Sequence, residues 1–198
     1  MNLRSLPVVA VAGAFILAAC ASDDASHAIQ APAATAATGA VFNDADVTFA
    51  QGMVPHHEQA IEMADIALDP RVGASEQVRD LAARIKSGQG PEIKLMTDWL
   101  TAWGQPLEAD TGASHDMSST DGMMPAEGMD ALGTIAGADF DRMWMEMMVR
   151  HHQGAIAMAE TVKAAGSSPD VLALADQVII AQQAEITEMR SLRRLHAP

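Results

Sequence analysis

The chain has 198 residues, enough for one domain of ordinary size and its tails. Its formal net charge of −14 disfavours nucleic acid as a partner, because phosphate binding needs clustered Lys and Arg. An apolar fraction of 49% that leans on Ala, with no Tyr and 14 Met, points to helices, and a single cysteine excludes an intramolecular disulfide.

The chain opens on "MNLRSL" and the apolar run "PVVAVAGAFILAA", which is too short to be a comfortable membrane span. It leads into Leu17-Ala18-Ala19-Cys20, which resembles a bacterial lipobox. That resemblance implies a lipoprotein signal peptide over residues 1–20, cleavage before Cys20 and lipidation of its thiol. The alternative is an ordinary secretory signal with an incidental Cys. The expected place is outside the cytoplasm, on the outer face of the cell membrane or in the periplasm, with membrane contact through lipid only. Residues 21–43 read as a tether with no core to bury.

Four long helices in two hairpins are expected over residues 44–195. The first spans 44–68, with Asn43, Asp44 and Asp46 as candidate caps and Asp69-Pro70 and Gly73 as breakers. The second runs from about 75 to 103 and stops at Gly104 and Pro106, so the first hairpin covers 44–104. Its "SGQGP" stretch, Ser87 to Pro91, predicts a kink or break. A Met-rich bridge follows over 105–138, with a short helix near its end. The second hairpin covers 139–195. Its first helix runs from about Asp139 to Gly166, and Ser168-Pro169-Asp170 starts the next as N-cap and first turn.

The two hairpins are copies of one another. "MVPHHEQAIEMA" at Met53 returns as "MVRHHQGAIAMA" at Met148, with His151 lying 95 residues after His56. The partner helices match too: Val78, Leu81, Gln89, Glu92, Ile93 and Met96 meet Val171, Leu174, Gln182, Glu185, Ile186 and Met189. At about 100° per residue, Phe49, Met53, His57, Ala60 and Ala64 form one stripe, with His56 and Met63 at its edge. Trp144, Met148, His152, Ala155 and Ala159 repeat it, with His151 and Met158 at the edge. Glu58, Gln59 and Glu62 face away. Glu92 and Glu185 fall inside apolar stripes, where an acid is costly unless paired or bound to a cation.

Two hairpins packed together make an all-α four-helix bundle. A ferritin-like di-iron site in such a bundle needs Glu-x-x-His on two helices and a Glu on each of the others. Here Met53-x-x-His56 and Met148-x-x-His151 stand in those places, and Glu-x-x-His occurs nowhere. Thioether in place of carboxylate moves the ligand set from hard to soft and favours Cu(I) over Cu(II). The candidate metal residues are Met53, His56, His57, Met63, Glu92, Met96, Met148, His151, His152, Met158, Glu185 and Met189. Met63 and Met158, taken alone, read as core more readily than as ligands, and Glu92 and Glu185 read also as hydrogen-bond partners that orient the histidines. His115, Met117, Met123, Met124 and Met129 in the bridge form either a weak Cu(I)-catching segment or a plain flexible linker.

Phe-x-x-Met-x-x-His-His-x-x-Ala-Ile-x-Met-Ala, followed by Glu-Ile-x-x-Met, resembles the domain-of-unknown-function 305 (DUF305) family. Phe49, Met53, His56, His57, Ala60, Ile61, Met63 and Ala64 carry it, with Glu92, Ile93 and Met96. The second copy has Trp144 for the Phe, then Met148, His151, His152, Ala155, Ile156, Met158, Ala159, Glu185, Ile186 and Met189. The resemblance implies a ferritin-like bundle and, from the copper-binding CopM-type members, an exported protein that binds copper. The expectation is a copper-binding protein that buffers, carries or resists copper, with no catalysis. A homo-oligomer or a copper-delivery partner is compatible with it. The rivals are a ferritin-like metal oxidase using iron or manganese and a metal-free envelope interaction lipoprotein.

Overall fold

The computed structural model describes residues 41–109 and 122–195. Its helices are α1 (Asp44–Leu68), α2 (Glu76–Ala102), the short α3 (Ala126–Leu132), α4 (Gly137–Ala165) and α5 (Pro169–Leu195), with a single 3-10 turn at Pro70–Val72. No strand occurs among the described residues. None of these helices is long and apolar enough to cross a membrane.

Local sequence explains the boundaries. Asn43 and Asp46 form a reciprocal capping box at the start of α1. Ser75 and Ser168 cap α2 and α5 through their hydroxyls, which accept from Val78 N and Val171 N. The expected break does not occur, and α2 stays helical through Ser87–Pro91. Pro91 is exposed, and the carbonyl it leaves without a helical donor belongs to exposed Ser87, where water can serve it. Helix α4 starts two residues before the expected Asp139, at Gly137, whose φ is 63°.

Packing is strongest within each hairpin, α1 on α2 and α4 on α5, and the hairpins meet mainly through α1 and α4. These two run antiparallel: Asn43 Nδ2 donates to Ala165 O, and Trp144 Nε1 donates to Met63 O at 2.9 Å. The duplication therefore appears as an approximate twofold arrangement. Two aspartates at equivalent positions latch it. Asp46 Oδ2 accepts from the backbone N–H of Ser167 and Ser168, and Asp141 accepts from that of Ser75. Each acid on a first helix thus holds the turn that opens the other hairpin's second helix.

The core is split in two. One apolar cluster takes Ala60–Ala67 of α1, Val78–Ile85 of α2, Phe140–Val149 of α4 and Ile186 and Met189 of α5. The other takes Val47–Met53, Met96 and Leu100, Ala155–Val162 and Val171–Val178. On every long helix the residues between the clusters are polar. They are His56 and His57, Gln89 and Glu92, His151 and His152, and Gln182 and Glu185. A polar layer crosses the middle of the bundle.

Candidate metal centre

Adjacent residues on a helix diverge by about 100°, so one His of each pair turns to the opposite hairpin and the other to its own. His56 and His151 face each other across α1 and α4, with ring centroids 3.8 Å apart and planes tilted by 37°. His57 turns to α2, where its Nε2 lies 2.8 Å from Glu92 Oε2. His152 makes the matching contact to α5, with Nε2 2.7 Å from Glu185 Oε2. All four rings are at most 1% exposed. The two carboxylates are about a fifth exposed and touch solvent at the bundle surface.

This geometry sets the tautomers. An ionised carboxylate can only accept, so Nε2 of His57 and of His152 carries the proton. In the neutral ring that leaves a lone pair on each Nδ1, and neither Nδ1 has a hydrogen-bond partner. A carboxylate fixing one ring nitrogen while the other points at an open position is the usual arrangement behind a metal-bound histidine. Burial first, and then the neighbouring His56, His152 and His57, push the His151 pKa well below its ordinary value. His151 is therefore a neutral imidazole at neutral pH, the form that ligates.

The predicted methionines frame this layer in two sets. Met53 and Met96 are buried on one side with half-buried Met158 against them, and Met63, Met148 and Met189 are buried on the other. Each set draws on both hairpins. His56 and Met63 lie at the edge of their helical stripe, yet α4 covers that edge and buries both. Glu92 and Glu185 contact histidines of their own hairpins. Among the described residues, no group of three or more His, Cys, Asp or Glu side chains could hold a metal ion.

In the bridge, Met124 and Met129 pack in the cluster on the Met63 side, and Met123 is half-buried. Met124 is tied to α1 by Gln59, whose Nε2 donates to Met124 O and whose Oε1 accepts from Met124 N. This part of the bridge is fixed on the bundle and is not a loose linker. His115, Met117 and Cys20 lie outside the described residues. Sequence reasoning missed Gln89 and Gln182, aligned in the repeat but not read as part of the site. Their buried amides leave Gln89 Nε2 and Oε1 and Gln182 Oε1 without a protein partner, so they are natural positions for bound water. The signal was available: a polar residue one turn before the inward Glu, in both copies.

The family model for the domain of unknown function DUF305 matches residues 46–193. The chain belongs to the DUF305 family. A DUF305 protein from Streptomyces coelicolor is 30% identical with a TM-score of 0.70, over 77% of this chain and 92% of that one. A DUF305 fragment from Deinococcus radiodurans is 31% identical with a TM-score of 0.68, over 76% of this chain and 95% of that one. CopM in its Cu(I)-bound form is 32% identical with a TM-score of 0.64, over 77% of this chain and 98% of that one. CopM structures with Cu(II) and with silver bound are similar as well. No curated protein matches the chain.

Proposed function

We propose that this DUF305 protein binds copper as cargo in its central polar layer, as Cu(I), and serves outside the cytoplasm as a buffer or carrier. The observation that carries this reading is the buried, unpartnered Nδ1 of His57 and of His152, each opposite an Nε2 held by a carboxylate. The likeness to CopM in its Cu(I), Cu(II) and silver forms supports it.

Charge favours the monovalent ion. The cost of moving an ion from water into a buried site rises with the square of its charge. The layer offers neutral imidazoles flanked by thioethers, and its two carboxylates already serve His57 and His152. A divalent ion there would stay poorly compensated, whereas Cu(I) suits both donor types. A buffer needs affinity and release, and no nucleophile–base pair is required of it. The lipobox at Cys20 supports an exported, membrane-tethered form.

Anaerobic Cu(I) titration against a competing chelator tests the site. His57→Ala with His152→Ala should weaken the tightest binding by at least the 10–100-fold typical of losing a residue that merely orients a ligand. Unchanged affinity in that variant, or tighter binding of Fe(II) than Cu(I) by the unaltered protein, would overturn the assignment.

A further inference from the structure

A cavity of about 560 Å³ lies against α4, and none of the layer's histidines lines it. Met123 and Met124 line it from the bridge, and Met143 and Met147 line it from α4. Methionine is ordinarily core filler, but filler closes space, and these side chains surround an opening of several water volumes. Their placement is built in. Gly122 has φ 76°, and a Cβ there would stand 2.4 Å from the backbone oxygen of Arg150. Only glycine lets the bridge lie so close on α4. Two residues on, the Gln59 amide holds both backbone groups of Met124.

The polar groups at the cavity are largely engaged. Arg142 pairs with Asp139 at 3.0 Å, and Glu146 with Arg193 at 3.5 Å. Arg150 Nη2 lies 3.7 Å from Met124 Sδ, so that sulfur already acts as an electron-pair donor to a cationic group. We propose that this cavity is a second soft-cation site, taking Cu(I) or Ag(I) on thioether sulfurs alone. It shares no residue with the histidine layer and does not depend on the function proposed for that layer. Thioethers carry no proton at any ordinary pH, so binding here should not change between pH 5 and pH 7, while binding to imidazole weakens in acid. The guanidinium of Arg150 opposes a cation, and its removal should tighten the site.

The test is Ag(I) titration of the protein labelled at its methionine methyl groups, followed by NMR at pH 5 and pH 7. The methyl signals of Met143 and Met147 should shift at both pH values, and equally in the His57→Ala/His152→Ala variant. Met143→Leu with Met147→Leu, close in volume, should lower the number of Ag(I) ions bound by one and leave the histidine-dependent binding within twofold. Arg150→Ala should raise the pocket affinity severalfold without touching a thioether, which keeps the test valid if the leucine variant folds poorly. Absence of shifts at several equivalents of Ag(I), or shifts that vanish with the histidines, overturns the proposal. So does a pocket that answers to a fatty carboxylate and not to silver.

Discussion

Asp46 on α1 accepts the backbone N–H of Ser168, at the head of α5, at 3.1 Å. The same oxygen accepts from Ser167 N at 3.0 Å and from Asn43 N at 2.8 Å, and the residue is fully buried. A carboxylate at a helix N-terminus meets otherwise unpaired N–H groups and the positive end of the helix dipole. Its counterpart, Asp141, meets Ser75 alone at 3.1 Å. Asp46→Ala should therefore cost about 2–4 kcal/mol, with one buried and two partly buried donors left unmet, and Asp141→Ala about 1–2 kcal/mol. The urea midpoints of the two variants check the order, and a larger loss for Asp141→Ala would contradict it.

Much of this fold was legible because the duplication repeats its main signals. The serine caps at Ser75 and Ser168 and the stripes on all four helices agree between the copies, while the Asn43 cap and the breakers at Pro70 and Gly104 mark the first copy alone. What sequence alone could not show was how α1 meets α4. Helical spacing puts His56 at the edge of a stripe, and only the crossing of the hairpins makes that edge the place where it meets His151. The Asp46 latch was hidden for the same reason. Asp46 reads as a local cap, which it is, but its other partners lie 121 and 122 residues on. Gln59 reads as a solvent-facing residue, and nothing local marks it as the clamp on Met124. Proline and glycine at Ser87–Pro91 misled in the other direction, since local propensity yields to packing on both sides of the stretch.

Glu92 and Glu185 can be tested as orienting groups. Replacing either with Gln keeps an oxygen that can accept from the His Nε2–H but removes the charge that makes the imidazole a better donor. Cu(I) affinity should fall about 10-fold for each, towards 100-fold for the pair, with the fold intact. Leu at the same positions frees the ring to turn and should cost more. Equal loss from Gln and Leu would mean that the carboxylate binds the metal directly.

The His151 shift makes the metal-free protein acid-sensitive. Its pKa is lowered in the folded state, so below about 6.5 the unfolded chain takes up a proton that the native site refuses. Stability is then fully present above pH 6.5 and is lost as pH falls towards the lowered native value. His151→Phe removes that proton uptake and should flatten the pH dependence between 7 and 5. The readout is the thermal midpoint of metal-free protein across that range, and a parallel slope in the variant would assign the effect elsewhere.

Helix α2 carries its weakest sequence beside the histidine layer. Gly88 and Gly90 flank buried Gln89, and Pro91 precedes Glu92. Glycine inside a helix loses more backbone freedom on folding than alanine, at about 0.5–1 kcal/mol each. Neither glycine has a close neighbour: a Cβ at Gly88 or at Gly90 would meet nothing within 4 Å. Neither has a positive φ that alanine would resist. Gly88→Ala and Gly90→Ala should therefore each stabilise the protein by about 0.5–1 kcal/mol, additively to within a few tenths. Amide hydrogen exchange in α2 should slow around Gln89 and Glu92, because local opening of that segment becomes rarer. A loss of stability from either change would instead mean that the bare backbone is needed for a close contact, and the open space around it makes an outside partner the candidate.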